Sequence, residues 1–348
     1  MPTKRTITVV GCHAEGEVGD VITGGVLPPS GATMMEKKLN FERQHDAIRR
    51  LLICEPRGSV ARHVNLLLPA TRPDCVAGAI IMEPTEYPPM SGSNTMCIAT
   101  VLLETGMVPM FEPETRFALD MPGGRVEIIA QCRNGKCERV TIHNVPSLVL
   151  KLDCQVEVAG HGTVTVDIAY GGMIFAISDA RALGFEIAPS EARELAALGE
   201  KIRSSARQQH PVAHPELPGI AGVSIVQFAG PVHKTGTVAH ARNTCIVAPG
   251  RSDRSPTGTG TCARMAVLHA RGQLAVGDSL VHESIIGSRF EGRILGTTTV
   301  AGIPAILPSI SGRAWITGFH QYIVDASDPW PTGYRIADTW GTSDTARQ

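Results

Sequence analysis

The sequence has few aromatic side chains, no surplus of either charge and no long hydrophobic run. Only fifteen of its 348 residues are Phe, Tyr or Trp, whereas 36 are Gly, a composition that favours a tightly turned α/β or β-rich fold over a helical bundle. Lysine and arginine total 32 against 33 acidic residues, which excludes a dedicated binder of nucleic acid or of an anionic membrane. Apolar runs such as Ala79–Met82 fall far short of the roughly 20 residues of a membrane span. We therefore expect no nucleic-acid and no membrane partner.

Residue patterns typical of metal and cofactor sites are also scarce. The nine cysteines contain no C-x-x-C pair, which argues against a disulfide framework and for reduced thiols in the cytoplasm. His210 and His214 have the spacing of a zinc helix, but a proline follows each of them and would break that helix. Gly258–Ala263 fits a dinucleotide-binding pattern, yet a loop precedes it instead of the required strand. We expect no metal and no cofactor.

Strand-like segments recur along the chain, and its length favours two domains. Helical apolar spacing predicts a helix over Phe41–Leu52. A second helix is predicted over Pro189–Ser204, with Ser190 as its N-cap.

Two further helical segments, residues 91–108 and 257–274, align without a gap, and five of their eighteen residue pairs are identical. Each segment has a hydroxyl residue, a glycine, a small polar turn, an apolar helix body and a glycine at the C′ position. Since the offset of 166 residues is close to half the chain, we predict an internal duplication that gives two similar domains.

Ser91 and Thr257 stand at the start of these two helices. Either residue could be an ordinary helix cap, a role that Ser and Thr commonly fill. Their matched positions favour a second interpretation, in which two helix N-termini face one another across a cleft suited to a carboxylate or phosphate. Cys97 and Cys262 lie inside the helices and are expected to be buried structural thiols.

Two longer motifs contain these turns, Met90-Ser-Gly-Ser-Asn-Thr95 and Asp253-Arg-Ser-Pro-Thr-Gly-Thr-Gly-Thr261. They resemble the active-site signatures of the proline racemase family, which includes hydroxyproline epimerases and trans-3-hydroxy-L-proline dehydratases. The resemblance implies a diaminopimelate-epimerase-like α/β (α+β) fold of two pseudo-symmetric domains, each with a curved sheet around a central helix. Residues 1–150 plus 315–348 would form the first domain and residues 151–314 the second. Supporting matches are Glu55–Gly58, Tyr170–Gly172 and Trp315–His320.

The sequence departs from the racemases at both catalytic positions, where they have cysteine and this chain has Ser91 and Thr257. A thiol ionises near a pKa of about 8.5 and an alcohol much less readily, so two-base inversion is disfavoured. A one-base reaction remains, in which loss of a β-hydroxyl follows removal of the Cα proton. The resemblance then implies a lyase that dehydrates trans-3-hydroxy-L-proline to Δ1-pyrroline-2-carboxylate without a cofactor.

In that interpretation Ser91 accepts the Cα proton and Thr257 orients the substrate. By the same resemblance, Asp253 pairs with the ring ammonium, although it also fits an ordinary turn residue. His63, Asn65 and His233 are left outside the site. The backbone groups expected to hold the substrate carboxylate are those of Gly92, Ser93, Gly258 and Thr259.

Two other functions remain open at this point. One is a 4-hydroxyproline 2-epimerase or proline racemase, and the other is a non-catalytic imino-acid-binding protein. The oligomeric state is also open, with a homodimer among the alternatives.

Overall fold

The computed structural model describes residues 5–325 and 327–340. Contacts divide the described residues into two units, of which the first holds residues 5–142, 313–325 and 327–340, and the second holds His143–Gly312. The sequence-based boundaries lie eight and two residues further along. Whether the units are independent domains stays a prediction.

The described residues form eighteen strands and five α-helices. In chain order these are β1 (Arg5–Ala14), β2 (Glu17–Gly24), α1 (Met34–Gln44), α2 (Asp46–Ile53), β3 (Arg62–Leu68), β4 (Ala77–Met82), α3 (Gly92–Glu104), β5 (Glu114–Met121), β6 (Gly124–Arg133), β7 (Lys136–His143), β8 (Ser147–Val158), β9 (Gly162–Tyr170), β10 (Ile174–Asp179), α4 (Ala192–Gln209), β11 (Ile225–Ala229), β12 (His233–Thr235), β13 (Val238–Val247), β14 (Arg251–Ser252), α5 (Gly258–Ala270), β15 (Ser279–Glu283), β16 (Arg289–Val300), β17 (Ile303–Gly312) and β18 (Ala314–Val324). None of the helices in this described part of the chain is long and apolar enough to cross a membrane.

The first unit is a sheet wrapped around α3. Its strands follow the order β18, β1, β2, β3, β4, β5, β6, and neighbouring strands are antiparallel except for the parallel pairs β2–β3 and β4–β5. Helix α3 contacts β1, β2, β3 and β18 and is buried from Gly92 to Leu103. The chain returns to this unit through β18, and Trp340 then enters the hydrophobic core beside α1 and α2.

The second unit repeats this pairing order around α5. Strands β8, β9, β10, β11, β13, β15 and β16 are antiparallel neighbours except for the parallel pairs β10–β11 and β13–β15. Strand β17 pairs with both β16 and β8, which closes the ring of strands. Helix α5 contacts six of these strands.

The predicted duplication is confirmed by the two central helices. Both have thirteen residues, and their bounds differ by the 166-residue offset of the sequence alignment. Each ends at a C′ glycine in the left-handed region, with φ of 74° at Gly106 and 71° at Gly272. The amide of Gly106 donates to Leu103 O and that of Gly272 to His269 O, at 3.1 and 2.9 Å, as a left-handed helix end requires.

Two of the other helix predictions are wrong in their bounds. The predicted helix over Phe41–Leu52 is divided between α1 and α2 because His45 takes φ −128° and ψ 13°, outside the helical region. Helix α4 runs on to Gln209, and a single 3-10 turn precedes it. Ser190 lies inside that turn, and the residue at the N-cap position of α4 is Glu191.

A glycine lets the surrounding sheet approach the central helix in each unit. At Gly19 of β2, an added Cβ would lie 2.9 Å from both Asn94 Oδ1 and Cys97 Sγ of α3. At Gly171, between β9 and β10, it would overlap the Thr259 carbonyl oxygen and lie 2.6 Å from Ala263 N. The obstacle at Gly171 is helix backbone, which cannot rotate away.

We therefore predict that Gly171→Ala destabilises the protein by about 1–3 kcal/mol, the usual range for overpacking, and displaces the first turn of α5. Gly219→Ala is the matched control, since an added Cβ there meets nothing within 4 Å, and we expect a change within about 0.5 kcal/mol. Urea unfolding midpoints measure both variants. Equal midpoints for the two variants would contradict the close approach at Gly171.

Candidate active site

Ser91 is the N-cap residue of α3, with φ −148° and ψ 126°. Its hydroxyl makes no capping bond to the helix backbone within the described chain. Instead, Ser91 Oγ accepts a hydrogen bond from Asn94 Nδ2 at 2.9 Å and lies 3.4 Å from Ser93 Oγ. The interpretation of Ser91 as only a helix cap therefore does not fit the geometry.

Thr257 occupies the equivalent position before α5, in a strained backbone conformation. Its φ is 63° and its ψ is 108°, an uncommon combination for a β-branched residue. Among the described residues its hydroxyl also makes no capping bond. It donates to Asp253 Oδ2 at 2.6 Å, and the Thr257 amide donates to Ser255 Oγ at 3.1 Å. These bonds hold the residue in its unfavourable conformation.

The carboxylate of Asp253 organises the turn that leads into α5. Asp253 is only 4% exposed, and its Oδ1 accepts the Ser255 amide at 2.8 Å while its Oδ2 accepts the Thr257 hydroxyl. Asp253 therefore stabilises the turn before α5, as expected of an ordinary turn residue. Pairing of Asp253 with a substrate ammonium stays a prediction.

Both helices begin with backbone N–H groups that donate no hydrogen bond to a carbonyl oxygen within the same described helix. The first amide to bond within α3 is that of Thr95, to Ser91 O at 3.0 Å, and the first within α5 is that of Thr261, to Thr257 O at 2.8 Å. The preceding amides lie at the positive end of the helix dipole, and neither first turn contains an acidic residue. Each opening can bind an anion. The amides in question include those of Gly92, Ser93, Gly258 and Thr259.

The duplication extends to the threonines one turn into each helix. Thr95 Oγ1 donates to Ser91 O at 2.7 Å, and Thr261 Oγ1 donates to Thr257 O at 2.9 Å. Thr261 Oγ1 also lies 2.9 Å from Nδ1 of His282 on β15. Burial lowers the pKa of this histidine to about 3, assisted by the nearby positive charge of Arg264, so the imidazole is neutral.

A buried polar cluster behind Ser91 was missed by the sequence analysis. His63 on β3 is 3% exposed, and its Nε2 lies 3.5 Å from Glu17 Oε1 while its Nδ1 lies 3.6 Å from Glu83 Oε1. Asn94 Nδ2 lies 3.3 Å from His63 Nδ1 and so connects this cluster to Ser91. The available sequence signal was the alternation of His63 and Asn65 on one face of an otherwise apolar strand.

The two cysteines within the central helices are buried, as predicted. Cys97 and Cys262 are both 0% exposed. Burial raises the pKa of Cys97 well above its usual value and that of Cys262 to about 12. Neither thiol has the exposure or the ionisation of a nucleophile.

The structure brings the predicted site residues together in two sets, one within each unit. Ser91, Gly92 and Ser93 form the turn that opens α3. In the second unit Asp253 and Thr257 are joined by a hydrogen bond, and Gly258 and Thr259 begin α5.

Comparison with known proteins identifies the scaffold that carries these two turns. The family model described as proline racemase matches residues 9–335. The chain belongs to the proline racemase family. A hydroxyproline epimerase from Agrobacterium vitis, crystallised with bound trans-4-hydroxy-L-proline, is similar at 41% identity and a TM-score of 0.92, with 99% of each chain covered.

Two other solved structures place this proline racemase family member among its relatives. A "probable proline racemase" from Agrobacterium radiobacter K84, with bound carbonate, is 41% identical at a TM-score of 0.91, over 96% of this chain and 98% of that one. A PhzF-family phenazine biosynthesis protein from Bacillus anthracis is 11% identical at a TM-score of 0.54, over 91% of this chain and 99% of that one. At that identity the likeness shows the fold alone. The expected diaminopimelate-epimerase-like α/β fold is confirmed.

Membership of the family establishes the general activity of the chain. Proteins of the proline racemase family are enzymes that act on small imino acids. The reaction that this member catalyses, and the roles of Ser91 and Thr257 in it, stay predictions.

The neutral His282 under the first turn of α5 predicts a pH dependence of stability. Its pKa is lowered in the folded state, so only the unfolded chain binds this proton between about pH 6.5 and 3. Stability is therefore lost as the pH falls, by at most about 1.4 kcal/mol per pH unit from this group. We expect His282→Gln to show a smaller loss between pH 6.5 and 4.5 in urea unfolding. His161→Gln, at an exposed position, should keep the wild-type slope, and an unchanged slope in His282→Gln would contradict the assignment.

Proposed function

We propose that this protein is a lyase that dehydrates trans-3-hydroxy-L-proline to Δ1-pyrroline-2-carboxylate. The observation that carries the proposal is the 2.6 Å hydrogen bond from the Thr257 hydroxyl to the Asp253 carboxylate. It supports a reaction with a single base, because it gives the two equivalent hydroxyls of the duplication different chemical environments.

Inversion at Cα requires a second acid/base group at the position of Thr257. If Thr257 gave its proton to Cα, an alkoxide would form in hydrogen-bond contact with a carboxylate. Two like charges at that distance are strongly unfavourable in a buried setting, and Thr257 is only 6% exposed. Thr257 is therefore suited to accepting a hydrogen bond from the substrate and orienting it, and it is poorly suited to proton transfer at Cα.

The Ser91 hydroxyl accepts a hydrogen bond, whereas that of Thr257 donates one to a carboxylate. Ser91 is therefore proposed as the base. Its Oγ accepts from Asn94 Nδ2 at 2.9 Å, and it stands at the positive end of α3, where negative charge is stabilised. Removal of the Cα proton places an electron pair between Cα and C3 as the C3–O bond breaks. The step starts from the Ser91 alkoxide, whose own proton has passed to solvent. The alkoxide takes the Cα proton and passes it to the departing hydroxide, so that water leaves and the alkoxide is restored, and the enamine product tautomerises to the cyclic imine.

We propose that the substrate is held through its charged groups. The amides of Gly92, Ser93, Gly258 and Thr259 would bind its carboxylate, and Asp253 would bind its ring ammonium. Neutralising the substrate carboxylate in this way makes the Cα proton easier to remove. The chemistry needs no cofactor, and the cytoplasmic location and a homodimeric state stay predictions.

Epimerisation of 4-hydroxyproline is the second candidate. It is favoured by the 41% identity to the hydroxyproline epimerase of Agrobacterium vitis, which was crystallised with trans-4-hydroxy-L-proline. In this alternative Ser91 is one base, and Thr257 or a bound water is the other. The absence of a β-hydroxyl from 4-hydroxyproline means that removal of its Cα proton can lead only to exchange or inversion.

A panel of proline and hydroxyproline isomers in D2O separates these functions. We expect trans-3-hydroxy-L-proline to be consumed with formation of a pyrroline, detected by coupling to an imine reductase, and no inverted, Cα-deuterated trans-4-hydroxyproline on the same timescale. Inversion of 4-hydroxyproline without loss of 3-hydroxyproline would make the protein an epimerase. Binding of an imino acid without exchange or turnover would make it a non-catalytic binding protein.

Variants at the two hydroxyl positions test the proposed roles. Ser91→Ala should lower kcat for dehydration by about 10²–10⁴-fold, the contribution of a positioned base, and leave substrate affinity nearly unchanged in calorimetric titration. Ser204→Ala, at an exposed position on α4, is the control.

At the second position, Thr257→Ser keeps the hydroxyl and should keep most of the rate, whereas Thr257→Val loses the bond to Asp253 and should weaken substrate binding. Retention of most of the wild-type kcat in Ser91→Ala would refute the assignment of the base.

A further inference from the structure

Two buried amide side chains lie behind Ser91. Asn65 on β3 is fully buried and Asn94 on α3 is 1% exposed. Asn65 Nδ2 donates to the backbone oxygen of Asp20 at 3.1 Å and to Asn94 Oδ1 at 3.0 Å. Asn94 Nδ2 in turn lies 2.9 Å from Ser91 Oγ and 3.3 Å from His63 Nδ1. The contacts form one chain from a backbone carbonyl to the proposed base.

The direction of every hydrogen bond in this network follows from the backbone carbonyl oxygen of Asp20. A backbone carbonyl oxygen can only accept, so the amide nitrogen of Asn65 must face Asp20. The second hydrogen on that nitrogen points at Asn94, which must present its oxygen. Asn94 therefore turns its own nitrogen towards Ser91 and His63, and its orientation is set by the network.

This direction decides which role Ser91 Oγ can take. As the acceptor from Asn94, it keeps its own proton directed elsewhere, and the bond becomes stronger if the oxygen acquires negative charge. The reverse orientation of Asn94 would make Ser91 the donor and hold its proton in place. Thr257 shows that second arrangement, since its hydroxyl donates to Asp253.

The second unit has no equivalent of the amide donor that Asn94 provides to Ser91 in the first unit, among the aligned residues of α3 and α5. In the gapless alignment of α3 and α5, the residue equivalent to Asn94 is Gly260, which has no side chain to donate. A Cβ at Gly260 would lie 3.1 Å from both Cys245 Sγ and Gln227 Nε2, so an amide side chain there would have to displace these neighbours. In the first turns of the two helices as described, only that of α3 contains a side-chain amide that donates to the hydroxyl oxygen at its start.

We infer that Asn94 is a positioning residue that stabilises the negatively charged form of Ser91 Oγ, and that Asn65 fixes Asn94 in the required orientation. The inference rests on the proposed function insofar as Ser91 is the group that removes the Cα proton. It adds an answer to how an alcohol at this position can be ionised, since a hydrogen bond donated by the Asn94 amide stabilises the alkoxide that removes the Cα proton.

The same network predicts the tautomer of His63. Because His63 Nδ1 accepts from Asn94 Nδ2, its proton is on Nε2, which faces Glu17 at 3.5 Å. The Nδ1 atom also lies 3.6 Å from Glu83 Oε1, so a proton on Nδ1 would redirect the ring towards Glu83 and break the bond from Asn94. Nitrogen-15 NMR distinguishes the two tautomers without any substrate.

Asn94→Asp is the decisive variant, because it keeps the shape of the side chain and replaces the donor by an acceptor. We expect kcat to fall by about 10²–10³-fold, as for loss of one donor to a developing oxyanion, with KM changed by less than about twofold. Asn65→Asp should act in the same direction with a smaller loss of kcat. The control is Thr100→Val, an isosteric change at a buried position further along α3, which should leave kcat unchanged.

The outcomes separate this inference from the proposed function. Cα proton removal is measured both as loss of trans-3-hydroxy-L-proline and as deuterium exchange into trans-4-hydroxyproline. Exchange without dehydration in the wild-type protein refutes the lyase assignment, and the Asn94→Asp effect is then measured on exchange. The inference would be overturned if Asn94→Asp kept the wild-type kcat or lost no more of it than Thr100→Val. It would also be overturned by a proton on His63 Nδ1, or by the absence of Cα proton removal from every isomer. Thermal melts establish that the variants are folded.

Discussion

Within the described residues, the hydroxyl groups of Ser91 and Thr257 do not hydrogen-bond to the backbone N–H groups of the helices that they begin. A serine or threonine at an N-cap normally satisfies one of the free amides of the first turn, and neither residue does so within the described chain. Two consequences follow from this one constraint. The amides of each first turn remain available to an anion, and each hydroxyl is held by a different polar partner that determines its chemistry.

The duplication supplies the same scaffold twice but not the same chemistry. Both units surround a thirteen-residue helix with the same succession of antiparallel and parallel strand pairs, and both have a glycine where the surrounding sheet approaches the central helix. The hydrogen bonds at the two hydroxyls nevertheless run in opposite directions, from Asn94 to Ser91 and from Thr257 to Asp253. Such an asymmetry suits an elimination, in which one group removes a proton and the other positions the substrate.

Much of the scaffold could be predicted from local patterns. The repeated helices, their C′ glycines and the burial of Cys97 and Cys262 follow from spacing and composition, because each depends on residues within a few turns. The prediction of one helix over Phe41–Leu52 was wrong because the apolar spacing continues through His45, whereas the backbone of His45 leaves the helical region. The prediction of Ser190 as a cap was wrong because α4 begins at Ala192, after a 3-10 turn over Pro189–Glu191 that contains Ser190.

The sequence by itself determined the family, the duplicated architecture and the presence of alcohols at both predicted catalytic positions, because these are properties of residue identity and order. Only the tertiary structure decided the direction of the hydrogen bonds at those alcohols. The partners of Ser91 include an amide held by Asn65 of another strand, and the order of residues does not reveal which atom of an amide faces which neighbour. That choice is made by a backbone carbonyl of β2, which is brought beside Asn65 only when the sheet forms around α3.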